Sequence, residues 1–304
     1  MTLSIIIPTF NRNKMLYKHL MHIYNELKGV DYEIIVVNDH KTNIVEIPQL
    51  LAENITCYNN PKSGVASARN YGAKLAKGIW LLFLDDDMIL FRKNINSYSS
   101  YFGNKDNICV NIDWEYPPEV IEDIKKNAFG RFLIQYGFTT LRGWNNYPNW
   151  PIDSSIEVSS VASPNLLIKK SDFVDSGGYD ENFPFAGFED YAFSKRLESK
   201  KFKMFVDTSS IMYHNEEDRL EMNSWLLRKE RGGVTRKIAV EYGFGEIEIN
   251  YNPLKKIVYS CNPVLIPILK FLVKCISRFG ILDPISFACY KMLLGIYIYK
   301  GYNK

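Results

Sequence analysis

Three short apolar segments, each followed at once by polar residues, constrain the fold of this chain more than any other feature. They are "LSIIIP" at residues 3–8, "YEIIVVND" at 32–39 and "GIWLLFLDDD" at 78–87. Each is rich in β-branched or aromatic residues and has the length of a buried parallel strand. Stretches with helical spacing of apolar residues lie between them, at 14–27 and 65–78. This alternation predicts an open α/β sheet that binds its ligands at the carboxyl ends of the strands.

Three adjacent carboxylates follow the third apolar segment, at the mouth of a buried strand. Such like charges repel each other and raise each other's pKa unless a cation lies close by. Oxygen ligands suit Mg²⁺ or Mn²⁺, with the phosphates of a substrate completing the coordination shell. A solvated acidic loop, or acids that cap the next helix, are the alternatives. The acids and the polar residues after the first two segments are Pro8, Thr9, Asn11, Asn38, Asp39, Asp85, Asp86 and Asp87.

Composition excludes several classes of protein. The chain has 304 residues, 46% of them hydrophobic, which is enough to bury a large core. Its 37 basic and 34 acidic residues leave a net charge of +3, which argues against a nucleic-acid partner. The five cysteines include no CxxC pair, as is typical of a reducing compartment. The N-terminus lacks the basic and apolar regions of a signal peptide, which predicts a cytoplasmic location.

The order of several motifs resembles that of the inverting glycosyltransferases of family 2, which have the GT-A fold. The motifs are "SIIIPTFNR", "YEIIVVND", "GVASARNYGAKLAKG", "LLFLDDDM", "SGGYDENFPFAGFEDYAFSKRL" and a later "YH". The resemblance covers about residues 3–215 and implies a Rossmann-like, mostly parallel central sheet flanked by helices. We expect a glycosyltransferase domain at 1–252, with a nucleotide-binding half at about 1–91 and an acceptor-binding half at about 92–252.

The resemblance also implies roles for donor-binding residues. Asp39 accepts a hydrogen bond from the N–H of uracil or guanine, and the planar fork of Arg69 approaches the base or the phosphates. A salt bridge on the surface of the helix is the alternative for Arg69. Asp86 is expected to face the ribose or the metal, while Asp85 starts the DxD motif in another register, and the register within the triplet stays open. The residues expected to contact the donor are Pro8, Thr9, Asn11, Asp39, Arg69, Asp85 and Asp86.

The metal and catalytic residues follow from the same resemblance. Asp87 is expected to bind the metal directly, and His214 to complete the site, which favours Mn²⁺ because imidazole is a better ligand for Mn²⁺ than for Mg²⁺. Asp190 is expected to act as the general base, with Glu189 orienting the acceptor or bracing the helix. Both acids are also typical of the first turn of any helix, where they complement the helix dipole.

The implied reaction moves a sugar from a nucleotide diphosphate sugar, with UDP favoured, to a glycan or lipid-linked glycan acceptor in cell-surface polysaccharide synthesis. Two alternatives stay open: a haloacid-dehalogenase-like phosphatase with Asp85 as its nucleophile, and a non-catalytic module that binds nucleotide sugars or glycans. The basic, Gly-Gly-containing segment 228–237 is expected to close over the diphosphate or to be a solvated helix end. Three aromatic residues are candidates for stacking on acceptor sugars: Trp144, Tyr147 and Trp150.

The last fifty residues differ from the rest of the chain. Residues 253–304 are predicted to form a helical, amphipathic extension, in which Lys270, Lys274 and Arg278 are spaced four apart. Each apolar stretch is shorter than the ~20 residues of a spanning helix, so a helix lying in the membrane surface is one interpretation of 263–300. Packing on the catalytic domain is the other. Membrane contact would place the protein on the inner face of the cell membrane.

Overall fold

The computed structural model describes residues 2–42, 45–104, 107–144, 150–278 and 280–304. Within them the strands are β1 (Leu3–Thr9), β2 (Tyr32–Asn38), β3 (Ile55–Asn59), β4 (Trp80–Leu84), β5 (Met88–Ile89), β6 (Ile108–Glu115), β7 (Ser155–Val158), β8 (Asn165–Lys169) and β9 (Lys203–His214). The helices are α1 (Asn13–Glu26), α2 (Val65–Leu75), α3 (Arg92–Ser99), α4 (Pro118–Ile124), α5 (Ala128–Gln135), α6 (Leu141–Trp144), α7 (Lys170–Asp175), α8 (Glu189–Ser199), α9 (Met222–Glu241), α10 (Pro253–Ser260), α11 (Asn262–Ile276) and α12 (Asp283–Tyr302).

The strands form one central sheet in the order β3-β2-β1-β4-β8-β6-β9-β5, with β7 paired to β9. The first four strands of this order run parallel, because β1 pairs with β2 and β4, and β2 pairs with β3, all in parallel register. Strand β8 enters antiparallel to β4 and β6. The predicted α/β fold with a mostly parallel sheet and a helical C-terminal region is confirmed.

Strand β3 was not predicted from the sequence. Its residues, "ITCYN", contain no continuous apolar run, and only Ile55 is fully buried. The reason is its position at the end of the sheet, where a strand pairs on one side only and packs less tightly. The predicted β-α-β-α-β order therefore lacks one strand.

The chain divides into two compact units, of which the first contains the sheet: Met1–Glu115, Asn149–Pro184 and Glu189–Asn215. Strands β1 and β4 are buried along their whole length. Helix α2 lies against β1 and β2. A Cβ atom on Gly72 of this helix would lie 2.4 Å from Cγ2 of Ile6, so glycine is what allows the close approach of helix and sheet. The close packing holds the start of α2 near the carboxyl ends of β1 and β2.

The second unit is helical and comprises Tyr116–Pro148, Phe185–Phe188 and Glu216–Lys304. Its core is aromatic, with Phe132 of α5, Trp225 of α9 and Tyr290 of α12 in one cluster. The described part of 253–304 is mostly helical, as expected, and α12 packs along α9 within this unit. The predicted domain boundary at residue 252 stays a prediction.

The expectation that each apolar stretch is too short to span a membrane is wrong for one helix: among the described residues, Gly280–Tyr302 is long and apolar enough to cross a membrane, although part of it is buried within the second unit. Helices α10 and α11 pass the same test only as a pair, and they are bent by 75° to each other. Helix α11 fully buries only Val273 and exposes four large apolar side chains, those of Val264, Ile268, Phe271 and Leu272.

Candidate active site

The polar residues after β1 and β2 lie side by side at one edge of the sheet. Thr9 and Asn38, the last residues of these strands, are paired in register. The backbone N–H of Asp39 donates to the carbonyl of Thr9 at 2.9 Å. Both carboxylate oxygens of Asp39 accept the N–H of Gly64 at 3.0 Å, and its Oδ1 accepts Nδ2 of Asn60 at 2.7 Å. The fold thus brings together the first two groups of predicted donor-binding residues.

A tight turn after β1 presents an aromatic ring at this edge. Pro8 is buried within β1, and Asn11 has a left-handed backbone with φ of 54°, a conformation that asparagine tolerates better than most residues. The turn leaves Phe10 58% exposed, with its ring centroid 5.0 Å from that of His40. Phe10 was not predicted as a site residue, although an aromatic residue between polar neighbours at a strand end is a usable signal. An exposed ring here can stack on a planar ligand.

A buried arginine lies between two of the three adjacent acids. The side chain of Arg12 is 8% exposed; its guanidinium binds Oδ1 of Asp86 and lies 2.9 Å from Oδ2 of Asp87. Thr9 Oγ1 donates to the other oxygen of Asp86 at 2.6 Å. Both oxygens of Asp86 are therefore engaged by protein groups. Arg12 was not predicted from the sequence, yet it supplies the positive charge that the acids require.

The two predicted metal ligands are adjacent. His214 is the last residue of β9 and is paired in register with Met88, the residue after Asp87. Its Nε2 lies 3.3 Å from Oδ1 of Asp87, and its ring packs edge-on against Trp114 with centroids 4.9 Å apart. Two ligands bonded at about 2.1 Å to one octahedral ion are about 3 Å apart. This carboxylate and imidazole are therefore close enough together to hold a divalent cation.

Arg69 joins the acid triplet to the start of α8. It lies on α2 with 2% of its side chain exposed, and its NH2 group donates to Oδ1 of Asp85 at 2.8 Å. Its NH1 group lies 3.4 Å from Oε1 of Glu189, and its Cζ lies 5.5 Å from the ring centroid of Tyr179. Burial opposes the charge of Arg69, but nearby carboxylates, with Asp85 first, raise its pKa above the usual value. The guanidinium therefore stays charged.

Asp190, the predicted base, has one oxygen held by hydrogen bonds and one buried oxygen without a hydrogen-bond partner among the described residues. Its Oδ2 accepts the backbone N–H of Ser163 at 3.1 Å and the hydroxyl of Ser163 at 3.2 Å. Its Oδ1 is buried and has no hydrogen-bond partner among the described residues. Burial raises the pKa of Asp190, while Arg69 and the bonds from Ser163 act in the opposite direction. A carboxylate that is held in place and has a raised pKa can accept a proton.

The expectation that 228–237 forms a closing loop is wrong. The segment lies within the continuous helix α9. A Cβ atom on Gly233 would lie 2.5 Å from the carbonyl oxygen of Ile298, so this glycine permits close packing against α12 and is not a hinge.

Of the aromatic residues considered for sugar stacking, only Trp150 has a described side chain. Tyr147 lies outside the described residues, as does the side chain of Trp144. Trp150 is 8% exposed, which favours a role in packing.

Comparison with known proteins identifies the relatives of this chain. The family described as "Glycosyl transferase family 2" matches residues 4–154. A protein of Haemophilus influenzae named "Uncharacterized glycosyltransferase" is 29% identical over 201 residues, which is 64% of this chain and 61% of that protein. The "GalNAc(5)-diNAcBac-PP-undecaprenol beta-1,3-glucosyltransferase" of Campylobacter jejuni is 34% identical over 116 residues, covering 34% of this chain and 37% of its own length. The chain thus spans less than two thirds of either relative.

The fold has counterparts among solved structures. A mannosyltransferase from Pyrobaculum calidifontis, solved in complex with GDP-Man and Mn²⁺, superposes with a TM-score of 0.57 at 13% identity. The superposition covers 98% of this chain and 85% of the other. The shared architecture is the GT-A fold.

Proposed function

Because the chain belongs to glycosyl transferase family 2, we propose that it transfers a sugar, with inversion, from a nucleotide diphosphate sugar to a hydroxyl group of a glycan. The observation that carries the proposal is the environment of Asp190. Its Oδ2 is fixed by two hydrogen bonds from Ser163, and its Oδ1 has no partner among the described residues. An inverting transferase needs one such carboxylate, directed at the acceptor hydroxyl.

The chemistry follows from where charge develops. The acceptor oxygen forms a bond to the anomeric carbon as the bond between that carbon and the phosphate oxygen breaks. The proton of the acceptor hydroxyl passes to the carboxylate of Asp190, and the electron pair of the broken bond remains on the diphosphate. A divalent cation held by Asp87 and His214 would offset this negative charge when bound, which supports Mn²⁺ or Mg²⁺ as the cofactor. Glu189 stabilises the first turn of α8, the helix that carries the base.

The donor site in this proposal lies at the carboxyl ends of β1, β2 and β4. Pro8, Thr9 and Asn11 line the base pocket, with Phe10 as the stacking surface. Asp39 accepts the N–H of the base, which suits uracil or guanine, and a UDP-sugar is the favoured donor. Asp85 and Asp86 face the ribose side of the donor.

We propose a glycan or lipid-linked glycan as the acceptor and the cytoplasmic face of the cell membrane as the location. Helix α11 supports this, because Val264, Ile268 and Phe271 are 61%, 55% and 70% exposed. Lys270 and Lys274 lie among them, and this mixture of apolar and basic groups suits the surface of an anionic bilayer. The name of the Campylobacter jejuni relative includes an undecaprenol-linked acceptor, which also supports the proposal.

A panel of UDP- and GDP-sugars, each with Mn²⁺, Mg²⁺ or chelator, tests the function through the release of nucleotide diphosphate. We expect one donor to react only with metal, and Asp87→Ala to remove both the reaction and the stabilisation of the fold by nucleotide and metal. Release of inorganic phosphate through a phospho-aspartate at Asp85 would instead show a phosphatase. Tight binding of the nucleotide sugar without transfer or donor hydrolysis would show a binding module.

A further inference from the structure

Arg69 lies in the interior of the first unit, with the acid triplet on one side and the first turn of α8 on the other. Only 2% of its side chain is exposed. One guanidinium nitrogen donates to Asp85 at 2.8 Å, and the other lies 3.4 Å from Glu189. A side chain with so little accessible surface has little area for a nucleotide to contact. Its charge acts mainly on the acids around it.

We propose that Arg69 is a positioning residue for the general base. It holds the first turn of α8 through Glu189, and it keeps a fixed positive charge near the carboxylate of Asp190. This inference rests on the proposed function, in which Asp190 takes the proton from the acceptor.

The contacts of the Arg69 guanidinium explain how it can position the base. Glu189 is the first residue of α8 and Asp190 is the next, so an ion pair that fixes Glu189 also limits the movement of its neighbour. The planar guanidinium contacts two acids at once through different nitrogens, an arrangement that the single ammonium of lysine reproduces poorly. The ring of Tyr179, 5.5 Å from Cζ, further restricts the orientation of the guanidinium.

The charges around Asp190 define the expected electrostatic effect. Arg69 favours the ionised form of Asp190, Asp85 disfavours it, and Ser163 favours it by donating two hydrogen bonds. Tyr179 and Glu189 also face this group, and both are close enough to interact with its charge or with that of Arg69. Removing the charge of Arg69 therefore leaves Asp190 with acidic neighbours, which makes the base harder to ionise.

The test is the pH profile of kcat at saturating donor, acceptor and Mn²⁺, measured for the wild type, Arg69→Gln and Arg69→Lys. In Arg69→Gln we expect the acid limb to move up by at least one pH unit, so that kcat at low pH falls more than tenfold and partly recovers at high pH. In Arg69→Lys the limb stays near its wild-type position and the plateau falls, since the charge remains but the planar fork is lost. Calorimetry without acceptor should give nucleotide Kd values within about threefold of wild type for Arg69→Lys.

Three outcomes would overturn the inference or its premise. If Arg69→Gln lowers kcat equally at every pH, Arg69 does not act through the base. If it abolishes nucleotide binding and leaves the limb in place, Arg69 is a nucleotide contact. If Arg69→Gln does not fold, Glu189→Gln is measured in its place. The acid limb of its pH profile should move to lower pH, and an unchanged limb would refute the electrostatic coupling between this cluster and Asp190. Asp190→Asn is measured alongside. Full transfer by that variant would refute Asp190 as the base. If Asp190→Asn is inactive and the acid limb of the pH profile does not shift in Arg69→Gln, only the role of Arg69 is refuted.

Discussion

Asp190→Asn is expected to remove most of the transfer activity while it leaves the fold and donor binding intact. The structure explains why the change is nearly isosteric. The amide oxygen of asparagine can accept both hydrogen bonds from Ser163, which are 3.1 and 3.2 Å long, and the amide nitrogen then takes the place of Oδ1, which has no partner among the described residues. Loss of a general base lowers a rate by about 10²–10⁴, or about 2.7–5.4 kcal/mol of transition-state free energy.

The assay compares kcat with the Kd for donor plus Mn²⁺ in the same preparations. We expect kcat to fall by about two to four orders of magnitude, with Kd unchanged. Full transfer by Asp190→Asn would refute the assignment of the base, and an equal loss of donor binding would show that Asp190 serves the donor.

The same variant predicts a change in stability with pH. Burial raises the pKa of Asp190 in the folded protein. Ionising it therefore costs stability, and this cost appears as the pH rises through the folded pKa. Asp190→Asn cannot ionise at this position and should therefore be more stable than the wild type at neutral pH. The difference in the free energy of unfolding between the two proteins, measured with urea, should shrink as the solution is acidified. A difference that grows on acidification would contradict the burial argument.

Three further predictions concern charge and packing. Arg12→Met removes the guanidinium that lies between the buried carboxylates of Asp86 and Asp87, so the free energy of unfolding, measured with urea, should fall by about 3–5 kcal/mol. A fall of less than about 1 kcal/mol would mean that other groups compensate for the lost charge. Asp87→Ala should weaken Mn²⁺ binding at least tenfold in an electron paramagnetic resonance titration without nucleotide, and unchanged affinity would move the metal site elsewhere. In Gly301→Ala the new Cβ would lie 1.8 Å from a backbone oxygen of α9, so the melting temperature should drop by several degrees. Gly232→Ala is the matched control, because a Cβ atom there has nothing within 4 Å, and it should change the melting temperature little.

The sequence alone predicted the α/β fold because buried parallel strands leave a local signature. Strands β1, β2 and β4 are apolar runs with polar residues directly after them, and in a parallel sheet such ends meet at one edge. Strand β3 lacks that signature because it lies at the end of the sheet. The Gly-Gly pair in α9 was misjudged for a related reason: a glycine that permits helix packing and a glycine in a hinge look the same in a sequence.

The sequence by itself determined that three acids would crowd one edge of the sheet and would need a compensating charge. Only the tertiary structure decided how that need is met: Asp85 pairs with Arg69, Asp86 with Arg12, and Asp87 with both Arg12 and His214. These partners come from α2, from the residue just before α1 and from the end of β9. Local sequence patterns record whether a segment is buried, but not which distant segment faces it. That choice depends on strand register and helix packing, which exist only once the sheet has formed.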